Sequence, residues 1–330
     1  DCMPHYYRIT NGHGQGAERI MNAEAEFLQG RFVDAQICLE NTYVHIAENG
    51  QENMVLCCDF LALRLALCTE LSLSYTIAER RKELLRRHNI TWVTLFDSAC
   101  AYYYALSGQI TQIPVLFREH QLSTVNFLAP GKPMMELIEN QVYLAQQEYA
   151  KVIGRSEELL AVCEAMHYAL VALHVQIQTA AAYECLGKRT EARSCLKRAL
   201  QIALPDQFYL PFVENYEYLE ELLQREIQTA DAAEHVFLTK VTELGKNCQK
   251  RYGALRKKHM FPKIAAELTE QEQRIIELLA ERLSNREIAE KLFLSEGTIK
   301  QYINRIYAKL QISGDVRTKR RQLIELLTAE

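Results

Sequence analysis

The chain has 330 residues, 48% of them hydrophobic and 24% charged, with a formal net charge of −4. That supports about two domains with a core in each, and no apolar run reaches the ~20 residues needed to span a bilayer. The first residues lack a signal-peptide pattern. The ten cysteines form no C-x-x-C and no ladder, so the expectation is a cytoplasmic protein whose reduced thiols serve as small buried hydrophobes.

The charge is unevenly spread. From Lys246 to the end there are 18 Lys and Arg against 11 Asp and Glu, a net of +7, leaving −11 for residues 1–245. An acidic body joined to a basic tail predicts that only the tail meets a polyanion.

In chain order, the opening segment with Gly12, Gly14 and Gly16 reads as an irregular lead-in, a place where a longer protein could be cut. No proline falls between Pro4 and Pro114, and the Ala-, Leu- and Glu-rich interval predicts nearly continuous helix. A weak repeat follows. The stretch from Phe27 to Ala35, with Gly30 and Asp34-Ala35, recurs in outline at 185–192, where Gly187 precedes Glu191-Ala192. Looser copies sit at Gly108 and Gln147, and the marker positions give a period of about 39 to 40 with one degenerate copy near Thr69. Units of this length predict helical hairpins that stack because none can bury its apolar face alone. The stretch from Ala203 to Asn215 breaks the pattern. Pro205 stops a helix, Asp206 starts a turn, and Phe208, Tyr209 and Phe212 are expected to pack beneath a structural corner.

Between Lys246 and Lys263 seven basic residues occur with no acidic one. This predicts a partly helical linker, serving either as a solvated hinge or as a phosphate-contacting arm. Beyond it, Leu268 to Leu310 reads as three short helices. Thr269 with Glu272 and Ser284 with Glu287 have capping-box spacing, and Ser295 is an N-cap. Only Phe293-Leu294 separates the second helix from the third, which leaves room for a helix–turn–helix corner. Ile299, Ile303, Ile306 and Leu310 form one apolar stripe, expected to pack on Ile275, Ile276, Leu279, Ile288, Ala289 and Leu292. The opposite face then carries groups suited to a major groove. Thr298, Lys300, Gln301 and Asn304 are the base-edge candidates, and Arg305, Lys309 and Arg286 the phosphate candidates.

These residues resemble the C-terminal DNA-binding domain of LuxR-type transcription regulators over about 60 positions. The family's L-T and the glutamate that follows stand as Leu268, Thr269 and Glu272. Its S-N-x-E-I-A-x-x-L is Ser284 to Leu292, and its S-x-x-T-[VI]-K is Ser295 to Lys300. Gln271, Arg282 and Tyr302 depart from the usual residues, and Asp315-Val316 lengthens the loop before a fourth helix, Arg317 to Leu327. Joined to helical repeats, the chain is similar to the C-terminal part of MalT-like regulators, whose relatives often carry an N-terminal ATPase.

The resemblance implies an all-α protein: a TPR-like superhelix at 1–245, a basic linker at 246–264 and a four-helix LuxR-type domain at 265–330. It implies double-stranded DNA and RNA polymerase as partners, a small-molecule or protein effector in the repeats, and dimers or oligomers on DNA. A protein-interaction scaffold with a vestigial helix–turn–helix, or a sigma-factor-like promoter-recognition protein, are the alternatives.

No catalytic constellation and no cofactor site is expected. Gly187-Lys188-Arg189 and Gly245-Lys246-Asn247 fail as phosphate loops and read as turns. Cys163, His167 and His174 have the spacing of one helix face and read as packing or groove-lining residues, not as metal ligands.

Overall fold

The computed structural model describes residues 3–71, 73, 75–125, 129–280, 283–310, 312, 318, 319 and 323. The described residues form α-helices and three short 3-10 turns, with no strand. In chain order the helices are α1 (Met3–Ile9), α2 (Ala17–Leu28), α3 (Phe32–Glu48), α4 (Glu52–Cys68), α5 (Ile77–Arg86) and α6 (Ile90–Leu106). Then come α7 (Val115–Arg118), α8 (Lys132–Ala145), α9 (Tyr149–Ala165), α10 (Ala169–Cys185), α11 (Arg189–Ala203), α12 (Leu210–Glu214) and α13 (Tyr216–Ile227). The last are α14 (Ala232–Glu267), α15 (Glu270–Ala280), α16 (Asn285–Leu292) and α17 (Glu296–Lys309). The contacts divide the chain into two compact units, Asp1–Gln249 and Lys250–Glu330.

One device joins most helices of the first unit. The connections at 29–31, 49–51, 87–89, 146–148, 166–168 and 186–188 are each three residues long. The central residue of each is left-handed: Gly30, Gly50, His88, Gln147, His167 and Gly187, with φ between 51° and 74°. That conformation lets the next N–H reach back to a free helix-end carbonyl, as Arg31 N–H does to Glu26 O at 2.9 Å and Lys188 N–H to Tyr183 O at 2.9 Å. The four repeat markers read from the sequence, Gly30, Gly108, Gln147 and Gly187, all hold this conformation. Near Thr69 the device fails, because α4 ends with Thr69 extended at φ −129°.

The hairpins pack in two layers. Helices α2, α4, α6, α8 and α10 touch in succession, and α3, α5, α9 and α11 lie against them on the outside. The inner helices accordingly lose their polar faces: α6 and α10 are buried along most of their lengths. The row also closes on itself, since α12 packs on α2. Tyr209 N–H donates to Leu28 O at 2.8 Å, and Gln29 Nε2 donates to Asp206 O at 2.8 Å. At the same corner a Cβ on Gly30 would stand 3.0 Å from Leu244 Cδ1, so its left-handed φ and the close approach both favour glycine.

Two sequence expectations are corrected. Cys163, His167 and His174 do not share a helix face, because a turn separates α9 from α10 and His167 occupies its exposed left-handed centre. Gly245 is not a turn residue. It lies within α14, where a Cβ would come within 2.4 Å of the Tyr216 ring, so the missing side chain lets α14 cross α13 closely. The corner at 203–215 does pack as expected, with Phe212 buried and its ring centroid 5.5 Å from that of Phe237.

At the centre of the closed row lies Arg64, only 3% exposed. Its Nε donates to Glu214 Oε1 at 2.7 Å and its Nη1 to Glu24 Oε1 at 2.9 Å, and Tyr102 O–H donates to Glu214 Oε2 at 2.9 Å. The guanidinium stands over the Phe27 ring at 4.7 Å. Burial works against its charge, but Glu214 and Glu24 outweigh it and hold it protonated. This cluster ties α2, α4, α6 and α12 together. Arg64→Met strands Glu214, itself 2% exposed, and is expected to cost about 3–5 kcal/mol in urea unfolding. Adding Glu214→Leu recovers much of that loss; a double variant no more stable than the single one would refute the assignment.

Candidate nucleic-acid interface

The second unit is built from local signals. Thr269 N–H donates to Glu272 Oε2 at 2.8 Å while Glu272 N–H donates to Thr269 Oγ1 at 3.3 Å, the reciprocal box that opens α15. Ser284 and Glu287 repeat it at α16, with Ser284 N–H donating to Glu287 Oε2 at 2.7 Å. At α17, Ser295 Oγ accepts from Thr298 N–H at 3.0 Å and also bonds the Thr298 hydroxyl at 2.8 Å.

The α16–α17 corner is tight. Helix α16 ends at Leu292, Phe293 turns left-handed at φ 54°, and Leu294 N–H closes on Ala289 O at 2.9 Å. Glycine is the usual residue for that conformation. Here a phenylalanine holds it with its side chain 96% exposed.

The apolar stripe packs as the spacing requires. Ile299, Ile303 and Ile306 are buried with Ile275, Ile276, Leu279, Ile288 and Ala289, and Leu292 and Leu310 flank them half-buried. This orients α17 so that Lys300, Gln301, Asn304 and Arg305 are exposed and Thr298 is partly so. The side chains of Gln301 and Asn304 make no hydrogen bond among the described residues. Lys300 Nζ lies 3.1 Å from Glu296 and Arg286 Nε 3.1 Å from Glu290, both well-exposed pairs of the kind worth little in water. Arg305 stands over the Tyr302 ring at 5.6 Å. These cations are therefore available to an anion at small cost.

Lys309 stands apart from the rest of the set. Its Nζ donates to Glu272 Oε2 at 2.7 Å, and that carboxylate is 3% exposed. Burial opposes the Glu272 charge, but the bonds from Lys309 and Thr269 prevail and hold its carboxyl below the ordinary range. The end of α17 is thereby clamped to the start of α15. Sequence spacing did not show this clamp, because its partners lie 37 residues apart. The fourth helix expected at Arg317 to Leu327 falls largely outside the described residues.

Residues 266–320 match the model of "Bacterial regulatory proteins, luxR family". The C-terminal unit carries a luxR-family helix–turn–helix domain. A 43-residue stretch is 49% identical to the DNA-binding transcriptional activator DevR/DosR of Mycobacterium tuberculosis. That match covers 13% of this chain and 20% of the relative, so the chain spans about a fifth of the length of the curated relative it matches. No solved structure matches the chain. Among the described residues no His, Cys, Asp or Glu cluster could hold a metal, and no helix is long and apolar enough to cross a membrane.

The Glu272 clamp has a pH signature. A carboxyl whose folded pKa is depressed contributes stability in full above its ordinary value of 4.5 and loses it as pH falls through the lower folded value. Glu272→Gln keeps an acceptor for the Thr269 N–H but removes the charge opposite Lys309, and is expected to destabilise the C-terminal unit by about 1 kcal/mol at neutral pH. Hydrogen exchange at α15 and α17 amides should show that difference shrinking below pH ~4. A pH-independent difference would exclude the clamp.

Proposed function

We propose that this chain is a sequence-specific, DNA-binding transcription regulator. The observation that carries the proposal is the exposed polar face of α17, with Gln301 and Asn304 unengaged, presented by a two-residue corner from a capped three-helix core. In this reading α17 lies in a major groove. Thr298, Lys300, Gln301 and Asn304 meet base edges, and Arg305 and Arg286 exchange weak surface partners for phosphates. Lys309, assigned to phosphate from its spacing, acts instead through Glu272 by fixing the angle of α17.

The helical hairpins of the first unit form a TPR-like module that receives an effector, small molecule or protein. Its state governs how the luxR-type domain reaches DNA and RNA polymerase. Pairing of two copies on DNA follows from the weak grip of one small helix–turn–helix. The acidic body and basic tail support this division of labour, since the body's charge repels the duplex and the tail's attracts it.

The test is duplex binding by the full chain to sites selected from a random pool, followed by fluorescence anisotropy across a salt series. Affinity is expected to fall steeply with salt, and Arg305→Ala should flatten the log–log slope by about 0.9. Lys300→Ala and Asn304→Ala should each reduce discrimination against non-cognate sites by about 1–3 kcal/mol, while Arg286→Ala lowers affinity for all sites alike. Salt-independent or absent binding would favour an interaction scaffold with a vestigial helix–turn–helix.

A further inference from the structure

The first unit contains a groove that the closed row of hairpins leaves open. It has a volume of about 350 Å³ and lies between α2, α4, α6 and α8. Its walls are apolar, and Met21, Met54, Met134 and Met135, four of the chain's seven methionines, line it beside Phe60 and Leu61. Thioether walls of this kind are polarisable and adapt to a ligand's shape.

Glu24, Phe60 and Met134 also line a narrower recess of about 40 Å³, which ends on Arg64, Tyr102 and His174. The two spaces therefore share a boundary and differ in character, one apolar and the other polar. Two atoms at this boundary have no hydrogen-bond partner among the described residues. His174 is 5% exposed, and its Nδ1 is buried with no hydrogen-bond partner among the described residues. Burial, then the nearby Arg64 charge, push its imidazole down to about 3, so it is neutral. Glu24 gives one oxygen to Arg64 Nη1, and its Oε2 has no partner among the described residues.

Charge decides which ligand fits. Arg64 is the only cation lining either space, and two carboxylates, Glu24 and Glu214, already face it. Glu24 is the one charged side chain among the described residues lining the groove itself, and its unbonded oxygen offers an acceptor without a donor. An anionic head would meet a deficit of donors and a surplus of negative charge, whereas an ammonium head would satisfy both.

We propose that this groove binds a small apolar amine, its body along the methionines and its ammonium hydrogen-bonded to Glu24 at the groove's polar edge. The assignment rests on reading the first unit as the effector module and supplies the chemistry of that effector.

The test is calorimetry of the full chain with three matched probes: 2-phenylethylamine, 2-phenylethanol and phenylacetate. The amine should bind at least tenfold more tightly than the alcohol or the acid. Glu24→Gln should bring it down to the level of the alcohol. Met21→Trp should weaken the amine and the alcohol together by filling the mouth of the groove; Met21 is 67% exposed, so the fold tolerates the change. Phenylacetate binding as tightly as the amine, amine affinity unchanged by Glu24→Gln, or no binding of any probe would each overturn the site. A separate arm measures duplex affinity with 2-phenylethylamine at saturation. Binding without any change in duplex affinity would remove the effector reading of the unit and leave the amine site standing.

Discussion

Arg64 is the constraint around which the first unit is arranged. A guanidinium removed from water requires partners for its donors, and those donors reach Glu24 on α2 and Glu214 on α12. Tyr102 on α6 supplies the remaining bond to Glu214, and Phe27 supplies a ring face. Once these groups converge, the inner helices cannot fan out as an open row. The hairpins are brought round until the last meets the first, and Gly30 leaves room where they touch. Such an ion cluster is a weak source of net stability against an apolar substitute, but leaving one member unpaired is costly. Its effect is to specify one arrangement of the hairpins over others of similar apolar burial.

The second unit depends on nothing so distant. Its helices begin where hydroxyl and carboxylate cap each other, and its core is one stripe of isoleucines set against two short helices. That locality explains why its helix starts and its core stripe were legible in the sequence. Capping boxes and i, i+4 stripes are written within a few residues, so Ser284, Ser295, Ile299 and Ile303 declare their roles without a structure. Phe293 and Lys309 did not. The first occupies a conformation normally signalled by glycine, and the second takes its partner from a helix 37 residues away.

The same distinction runs through the first unit. Gly30, Gly108 and Gly187 announced the repeat because glycine marks a left-handed turn. His88 and His167 hold that geometry without the signal, and the half-period near 20 residues therefore went unread. Cys163, His167 and His174 were misplaced on one face for the same reason, since nothing in the sequence broke the helix between them. The Arg64–Glu214 pairing spans 150 residues and carries no local mark at all.

That separation bears on how the protein is made. An open array of hairpins gains stability one neighbour at a time and can consolidate as it leaves the ribosome. Here α4 emerges with a guanidinium whose principal carboxylate has yet to be translated. At ~5–20 residues per second, the 150 residues between them take on the order of 10–30 s. Through that interval Glu24 is the carboxylate at hand for the guanidinium, and the buried pairing with Glu214 has to wait. Ring closure is then a late, single event, which makes the first unit one cooperative body and sets it apart from a solenoid that tolerates the loss of a repeat.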